Sequence, residues 1–128
     1  MNIPTNLLYS KSHEWVEFTS ETTAKVGLTD YAQKALGGIV FINLPEEGDP
    51  VTTGGSFGDI ESVKAVYDLI SPVNGTVSAI NEELLDTPQK INEAPYDAWL
   101  IQVSDISGRE DLMDNTAYEA FCKEEENK

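Results

Sequence analysis

Lys64 stands where a strand-rich chain has little structural use for an amine. It falls in Glu61-Ser62-Val63-Lys64-Ala65, after the apolar positions Phe57, Ile60 and Val63 and before Val66, Leu69 and Ile70. No other lysine occurs between Lys34 and Lys90. If the two flanking runs pair as strands, the ε-amine sits at a hairpin tip on a rigid base. Such an amine is suited to carry a covalently attached, swinging cofactor arm. The commoner use of a lysine at a strand end is as a solubilising or edge-protecting charge, and position alone does not separate the two readings. Turn chemistry does not help, because the favoured two-residue turns carry Asn-Gly, Asp-Gly or a leading Gly. None of these lies between Val63 and Val66.

Other chemistries are poorly supplied. Cys122 is the only cysteine and His13 the only histidine, so an internal disulfide, a thiolate cluster and a histidine-rich zinc site are all excluded. The many carboxylates form no EF-hand loop. With 8 basic against 23 acidic residues, the formal net charge is −15, a field that repels nucleic acid and favours partners with basic surfaces. No apolar run approaches membrane-spanning length, and Met1-Asn2-Ile3-Pro4 has neither signal-peptide nor transit-peptide character. These features predict a cytoplasmic chain without membrane or nucleic-acid partners. At 128 residues with 40% hydrophobic content, it is expected to form one domain over 1–128.

The elements around Lys64 read as short strands. His13 to Phe18 and Thr23 to Leu28 flank a polar break and predict a hairpin. A short helix follows, with Asp30 and Gln33 as its capping box, and Gly37-Gly38 ending it. Further strands are expected over 39–44, 56–60, 68–70, 76–80 and 99–103, with turns at Pro45–Gly48 and Ser71–Gly75. Ser107 with Glu110, and Thr116 with Glu119, have capping-box spacing and predict two C-terminal helices. Tyr118, Phe121 and Cys122 form the apolar stripe of the second, with Cys122 a small core residue. Residues 123–128 read as a frayed acidic tail. The fold class is mainly β with short helices, a flattened barrel or hybrid sandwich with the lysine at a hairpin tip.

The chain resembles the H-protein family of the glycine cleavage system. The resemblance is carried by Tyr9-Ser10-Lys11-Ser12-His13-Glu14-Trp15-Val16, Val26-Gly27-Leu28-Thr29-Asp30-Tyr31-Ala32-Gln33 and Leu36-Gly37-Gly38-Ile39-Val40-Phe41. It continues through Leu44-Pro45-Glu46-Glu47-Gly48, Phe57-Gly58-Asp59-Ile60-Glu61-Ser62-Val63-Lys64-Ala65 and Asp68-Leu69-Ile70-Ser71-Pro72-Val73-Asn74-Gly75, and ends with Pro95-Tyr96 and Trp99-Leu100. It spans nearly the whole chain in order, and Glu-Ser-Val-Lys-Ala with Ser-His-Glu-Trp is a specific pair of signals.

The resemblance implies a lipoyl-type fold and lipoate attached to Lys64. It further implies a carrier that is itself a substrate of three enzymes rather than a catalyst. These are the pyridoxal-phosphate-dependent glycine decarboxylase (P-protein), the aminomethyltransferase (T-protein) and dihydrolipoyl dehydrogenase (L-protein). A lipoate ligase or lipoyl transferase would install the cofactor. Asp59, Glu61 and Asp68 lie close in sequence and would favour the charged amine if they are close in space. The installing enzyme is therefore expected to supply a base and to recognise this acidic surround, Glu61 above all. Ser12, Glu14 and Asp68 are expected to line a cleft sheltering the aminomethyl group from water, although on other grounds Glu14 reads as a solvent-facing charge and His13 as a surface residue. Tyr67 departs from the family, which usually has a small residue there, and is expected to wall the cleft differently. Ala98 departs too, in a loop. Two rivals share the architecture. A biotin carrier fits poorly, since Val63 and Ala65 rather than methionines flank the lysine, while a lipoate relay serving other complexes needs the same hairpin and lysine.

Overall fold

The structure, a computed structural model, describes residues 2–127. Nine strands form two sheets. The larger has the order β1-β2-β3-β9-β8-β5 and the smaller β4-β6-β7. In chain order these are β1 (Leu8–Tyr9), β2 (Glu14–Phe18), β3 (Ala24–Leu28), β4 (Ile39–Asn43), β5 (Pro50–Val51), β6 (Ser56–Ser62), β7 (Val66–Ile70), β8 (Val73–Ile80) and β9 (Ile101–Arg109). All pairings are antiparallel. Val26, Val77, Ile101 and Val103 of the larger sheet and Ile42, Ile60 and Leu69 of the smaller belong to one buried cluster. The alternation of apolar residues along each strand puts these side chains on facing surfaces, and their burial joins the sheets.

Helix α1 (Asp30–Leu36) links the sheets. Its N-cap is Thr29, whose hydroxyl accepts the Ala32 N–H at 3.2 Å, and not Asp30 as the capping-box reading expected. Asp30 is already helical, and its carboxylate accepts instead from the Gln33 amide and the Asn2 N–H. Gly37 ends the helix at φ 77°, a left-handed conformation that glycine adopts without a Cβ penalty. Asn92 then ties this end down: its amide donates to the carbonyl of Gly37 and its Oδ1 accepts the Ile39 N–H.

Other expectations are corrected as well. The turn at Ser71–Gly75 shrinks to Ser71 and Pro72, because Val73, Asn74 and Gly75 already belong to β8. Gly75 is not a turn glycine. A Cβ there would lie 2.5 Å from Val103 and 2.7 Å from the Ser104 carbonyl, so it permits close approach at a bulge between β8 and β9. The helix expected from Ser107 and Glu110 is absent: β9 runs through Arg109, with Gly108 opposite Asn74 and Arg109 opposite Val73. A paired strand offered that backbone more hydrogen bonds than a local cap did.

One C-terminal helix forms instead of two, α4 (Asn115–Glu126), capped by Asp114 rather than by Thr116. Its helical hydrogen bonding continues through residues 123–126, expected to fray, while Lys128 lies outside the described residues. The short helices α2 (Glu83–Asp86) and α3 (Lys90–Glu93) were not anticipated, since four residues carry no helical periodicity; they bury Leu84 and Ile91. Cys122 is fully buried, as expected, beside Tyr9, Trp15 and Tyr118.

The β4–β6 pairing that carries the Lys64 hairpin depends on Gly58, where a Cβ would stand 2.2 Å from the Asn43 carbonyl oxygen. Backbone cannot swing aside as a side chain can. Gly58→Ala is therefore expected to cost at least ~2 kcal/mol, the range for forced overpacking. Thermal denaturation that leaves the melting temperature unchanged contradicts this account of the sheet.

Candidate functional site

Lys64 is exposed at the tip of the β6–β7 hairpin, whose register pairs Glu61 with Val66, Ile60 with Tyr67 and Asp59 with Asp68. The missing turn residues are replaced by one hydroxyl. Ser62 Oγ accepts the N–H groups of Lys64 at 3.2 Å and Ala65 at 3.1 Å and donates to the Ala65 carbonyl, while the Ser62 N–H donates to that same carbonyl at 2.9 Å. Serine satisfies its own turn. The Val63 N–H donates to the Gly38 carbonyl at 3.0 Å and ties the tip to the end of α1.

The lysine stem does not stand free in water. Lys64 Cε and Cδ lie 3.6 and 3.9 Å from where a Cβ would sit on Gly37, so the stem lies over the bare backbone of that turn. None of Asp59, Glu61 or Asp68 forms an ion pair with it among the described residues. The arm position thus combines a fixed backbone with an amine open to acylation, which fits covalent attachment of a cofactor.

Around the tip, the outward face of the small sheet carries a row formed by Phe41, Glu61 and Val66. Phe41, Val63 and Val66 are exposed at 49%, 71% and 64%, an unusual grouping beside an acidic residue. The next outward row holds Asn43, Asp59 and Asp68, with the Asn43 amide donating to Asp59 at 2.7 Å.

Glu14 and Ser12 converge as expected, but in a sealed chamber and not on a surface. Glu14 is 0% exposed. Its Oε1 accepts the hydroxyls of Ser10 at 2.8 Å and Ser12 at 2.5 Å, and its Oε2 accepts the Ile70 N–H at 3.3 Å. Ser10 also accepts the Glu14 N–H at 3.0 Å. Asp68 is not brought to this set. It is exposed and alternates with Tyr67 along β7, so the inward neighbour of Glu14 is the tyrosine, whose hydroxyl donates to the Ser12 carbonyl. Ser10 and Tyr67 escaped the sequence reading. The spacing of two through Ser10, Ser12 and Glu14 was the available signal for the first, while the second needed the fold. A cleft of about 670 Å3 lined by Phe18, Ile106 and Arg109, among others, contains none of these residues.

Burial pushes the Glu14 carboxyl up to about 7, against the opposing pull of its hydroxyl and amide donors. Glu110 adds to the rise by repulsion. Its own carboxyl is raised by burial, and its Oε1 is buried without a hydrogen-bond partner among the described residues. The turn carrying Ser12 is held from outside by His13, which is 12% exposed rather than on the surface. Its Nδ1 shares a 2.8 Å hydrogen bond with the Tyr118 hydroxyl, and its ring stacks on Tyr31. His13 adopts φ 71°, outside the usual range for a side-chain-bearing residue. Burial lowers its pKa below the ordinary histidine value.

A rigid two-sheet β body presenting one exposed lysine at a hairpin tip is the architecture of a cofactor-arm carrier. The sequence model of the glycine cleavage H-protein family matches residues 7–125. Among similar proteins, the glycine cleavage system H protein of Lachnoclostridium phytofermentans is 58% identical over 125 residues, covering 98% of each chain. That of Acidobacterium capsulatum is 52% identical over 127 residues, with the same coverage. The crystal structure of the H protein from Mycobacterium marinum superposes with a TM-score of 0.87 at 36% identity, covering 92% of this chain and 97% of that one. The chain belongs to the glycine cleavage H-protein family, which carries lipoate in the glycine cleavage system. The mainly β, lipoyl-type fold read from the sequence agrees with this neighbour. No helix among the described residues is long and apolar enough to cross a membrane.

Two measurements follow. Ser62→Ala removes the side-chain acceptor of the Lys64 and Ala65 amides, so their hydrogen exchange is expected to quicken about tenfold, the equivalent of roughly 1.4 kcal/mol for a lost hydrogen bond. Unchanged exchange contradicts the serine-built turn. The buried Glu14 also ties stability to pH. Its native value near 7 exceeds the ordinary 4.5, so its contribution is fully present below about 4.5 and lost as pH rises through about 7. Glu14→Gln is expected to flatten this slope, on the order of 3 kcal/mol in denaturant titrations across that window. An unaltered slope contradicts a buried, elevated carboxyl.

Proposed function

We propose that this chain, acting as one carrier domain over 1–128, bears lipoate on Lys64 and ferries an aminomethyl group through the glycine cleavage system. The observation that carries the reading is the exposed Lys64, without an ion pair among the described residues, on a hairpin whose turn is locked by Ser62 and Gly38. Bound lipoate supplies a cyclic disulfide that opens to two thiols and so carries both a group and two electrons. The chain's own contribution is positional: it fixes the root of the arm and leaves the rest mobile. The catalytic groups come from its partners, and the chain performs no catalysis itself.

Those partners are the P-protein glycine decarboxylase, which loads the cargo, the T-protein aminomethyltransferase, which removes it, and the L-protein dihydrolipoyl dehydrogenase. A lipoate ligase or lipoyl transferase acylates Lys64 and reads Glu61 between the exposed Phe41 and Val66, a combination of charge and apolar contact. The setting is cytoplasmic.

Glu14 receives the ammonium of the cargo. Near neutrality its carboxyl is poised between charge states, and an arriving cation favours the ionised form. Ser10 and Ser12 hold the carboxylate in place. Asp68 stays outside this chamber and meets the partners' surfaces along with Asp59.

The test uses protein from a cell that lipoylates it. Intact mass is expected to show one lipoyl addition that Lys64→Arg abolishes; an addition surviving the substitution contradicts the assignment. With decarboxylase and labelled glycine, the wild-type chain is expected to take up label, and failure to do so would favour the lipoate relay. In the loaded protein, Glu14→Ala is expected to speed loss of the label to water at least several-fold. An unchanged rate removes Glu14 from the shelter.

A further inference from the structure

Glu14 presents a difficulty as a receiver of cargo, because no path from solvent reaches it. Four groups stand around its carboxyl: Ser10 and Ser12 from the β1–β2 turn, the Ile70 amide, and Tyr67, which feels the Glu14 charge and bonds the Ser12 carbonyl. Three of these belong to its permanent scaffold. Ser10 is 0% exposed, and the Ile70 amide is backbone. The hydroxyl of Ser12 rides on a turn that His13 clamps to Tyr118 of α4.

Tyr67 differs in each respect. It is half-buried and packs against the margin of the main core without belonging to it. It lies on β7, an edge strand of the small sheet, so no further strand confines it. One hydrogen bond, from its hydroxyl to the Ser12 carbonyl, holds the ring in place. It also stands three residues beyond Lys64 on the same hairpin arm. An arm rooted at Lys64 and folding back toward Glu14 meets this ring first.

We propose that Tyr67 is the gate of the Glu14 chamber: the cationic end of the arm reaches the carboxyl only when the ring leaves the Ser12 carbonyl, and the ring thereby selects what enters. The proposal rests on the reading of Glu14 as the ammonium receiver. Swinging one side chain suffices, because side-chain rotation is fast and the strand need not move. The gate also bears on the charge state inside it. With the ring closed, Glu14 disfavours ionisation of the phenol, and burial disfavours the ionised form of both. Glu110, at the end of β9, repels Glu14 as well and faces Lys11, and Glu125 of α4 acts on Tyr67. A cation that enters thus meets a carboxyl surrounded by acidic groups, with Lys11 as the nearby opposing charge.

The test needs no lipoate. Side-chain carboxyl carbon NMR follows Glu14 in the unmodified full chain while pH, and then methylammonium chloride, is varied. Tyr67→Ser opens the chamber, and Tyr67→Phe keeps the ring but removes its tether, which covers the case in which the serine variant fails to fold. In wild type the Glu14 midpoint is expected near 7, with little response to methylammonium. Tyr67→Ser is expected to lower the midpoint by a unit or more and to bind methylammonium at least tenfold more tightly, with Glu14→Gln in that background abolishing the effect on neighbouring resonances. Tyr67→Phe is expected to fall between. A Glu14 midpoint and amine response unchanged in both variants overturns the gate and leaves the aminomethyl-loss experiment to judge the receiver. A lowered midpoint with no amine response overturns the receiver, and the gate falls with it.

Discussion

The burial of one carboxyl organises this protein. Removing Glu14 from water is costly unless donors replace the lost hydration, and the surrounding structure supplies them. The turn between β1 and β2 is wound so that Ser10 and Ser12 meet the same oxygen, and β7 ends so that the Ile70 amide meets the other. His13 accepts a positive φ to complete that turn, and the stacked Tyr31 and hydrogen-bonded Tyr118 hold it there. The C-terminal helix thus braces the site through His13. Tyr118 shares hydrogen bonds with both His13 and Thr29, so one phenol braces the turn and the cap of α1.

A second constraint is mechanical. The root of the arm has to be rigid and its end free. Ser62 and the Gly38 carbonyl fix the backbone on either side of Lys64, and the β6–β7 ladder anchors that tip in the shared core through Ile60 and Leu69. The same hairpin carries Tyr67 on its inward face and Val66 and Asp68 on its outward face. Strand alternation therefore separates two faces: one is open to solvent, and the other turns Tyr67 toward the Ser12 carbonyl.

What the sequence made legible follows from range. Lys64, the β-rich class, the first hairpin and the stop at Gly37 rest on local patterns, and each is present in the fold. Ser12 and Glu14 were named by family resemblance and do meet. Asp68 was grouped with them by the same resemblance, but its side is set by strand parity, and Tyr67 occupies the inward position instead. The Tyr67–Ser12 contact joins residues 55 apart and has no local signature. Ser107 and Glu110 show the opposite failure: a sound helix-capping signal was overridden because β8 offered a full set of strand partners. The exposed Phe41, Val63 and Val66 were legible as strand residues, but their exposure was not, because it depends on the small sheet ending at β4 and β7.

The most direct test is the position of the arm in the loaded protein. A crystal structure of the chain bearing the aminomethylated lipoyl group on Lys64 is predicted to place the nitrogen within hydrogen-bonding distance of the Glu14 carboxylate, with the Tyr67 ring turned away from the Ser12 carbonyl. An ordered arm resting elsewhere, over a Glu14 still sealed by Tyr67, would contradict the account.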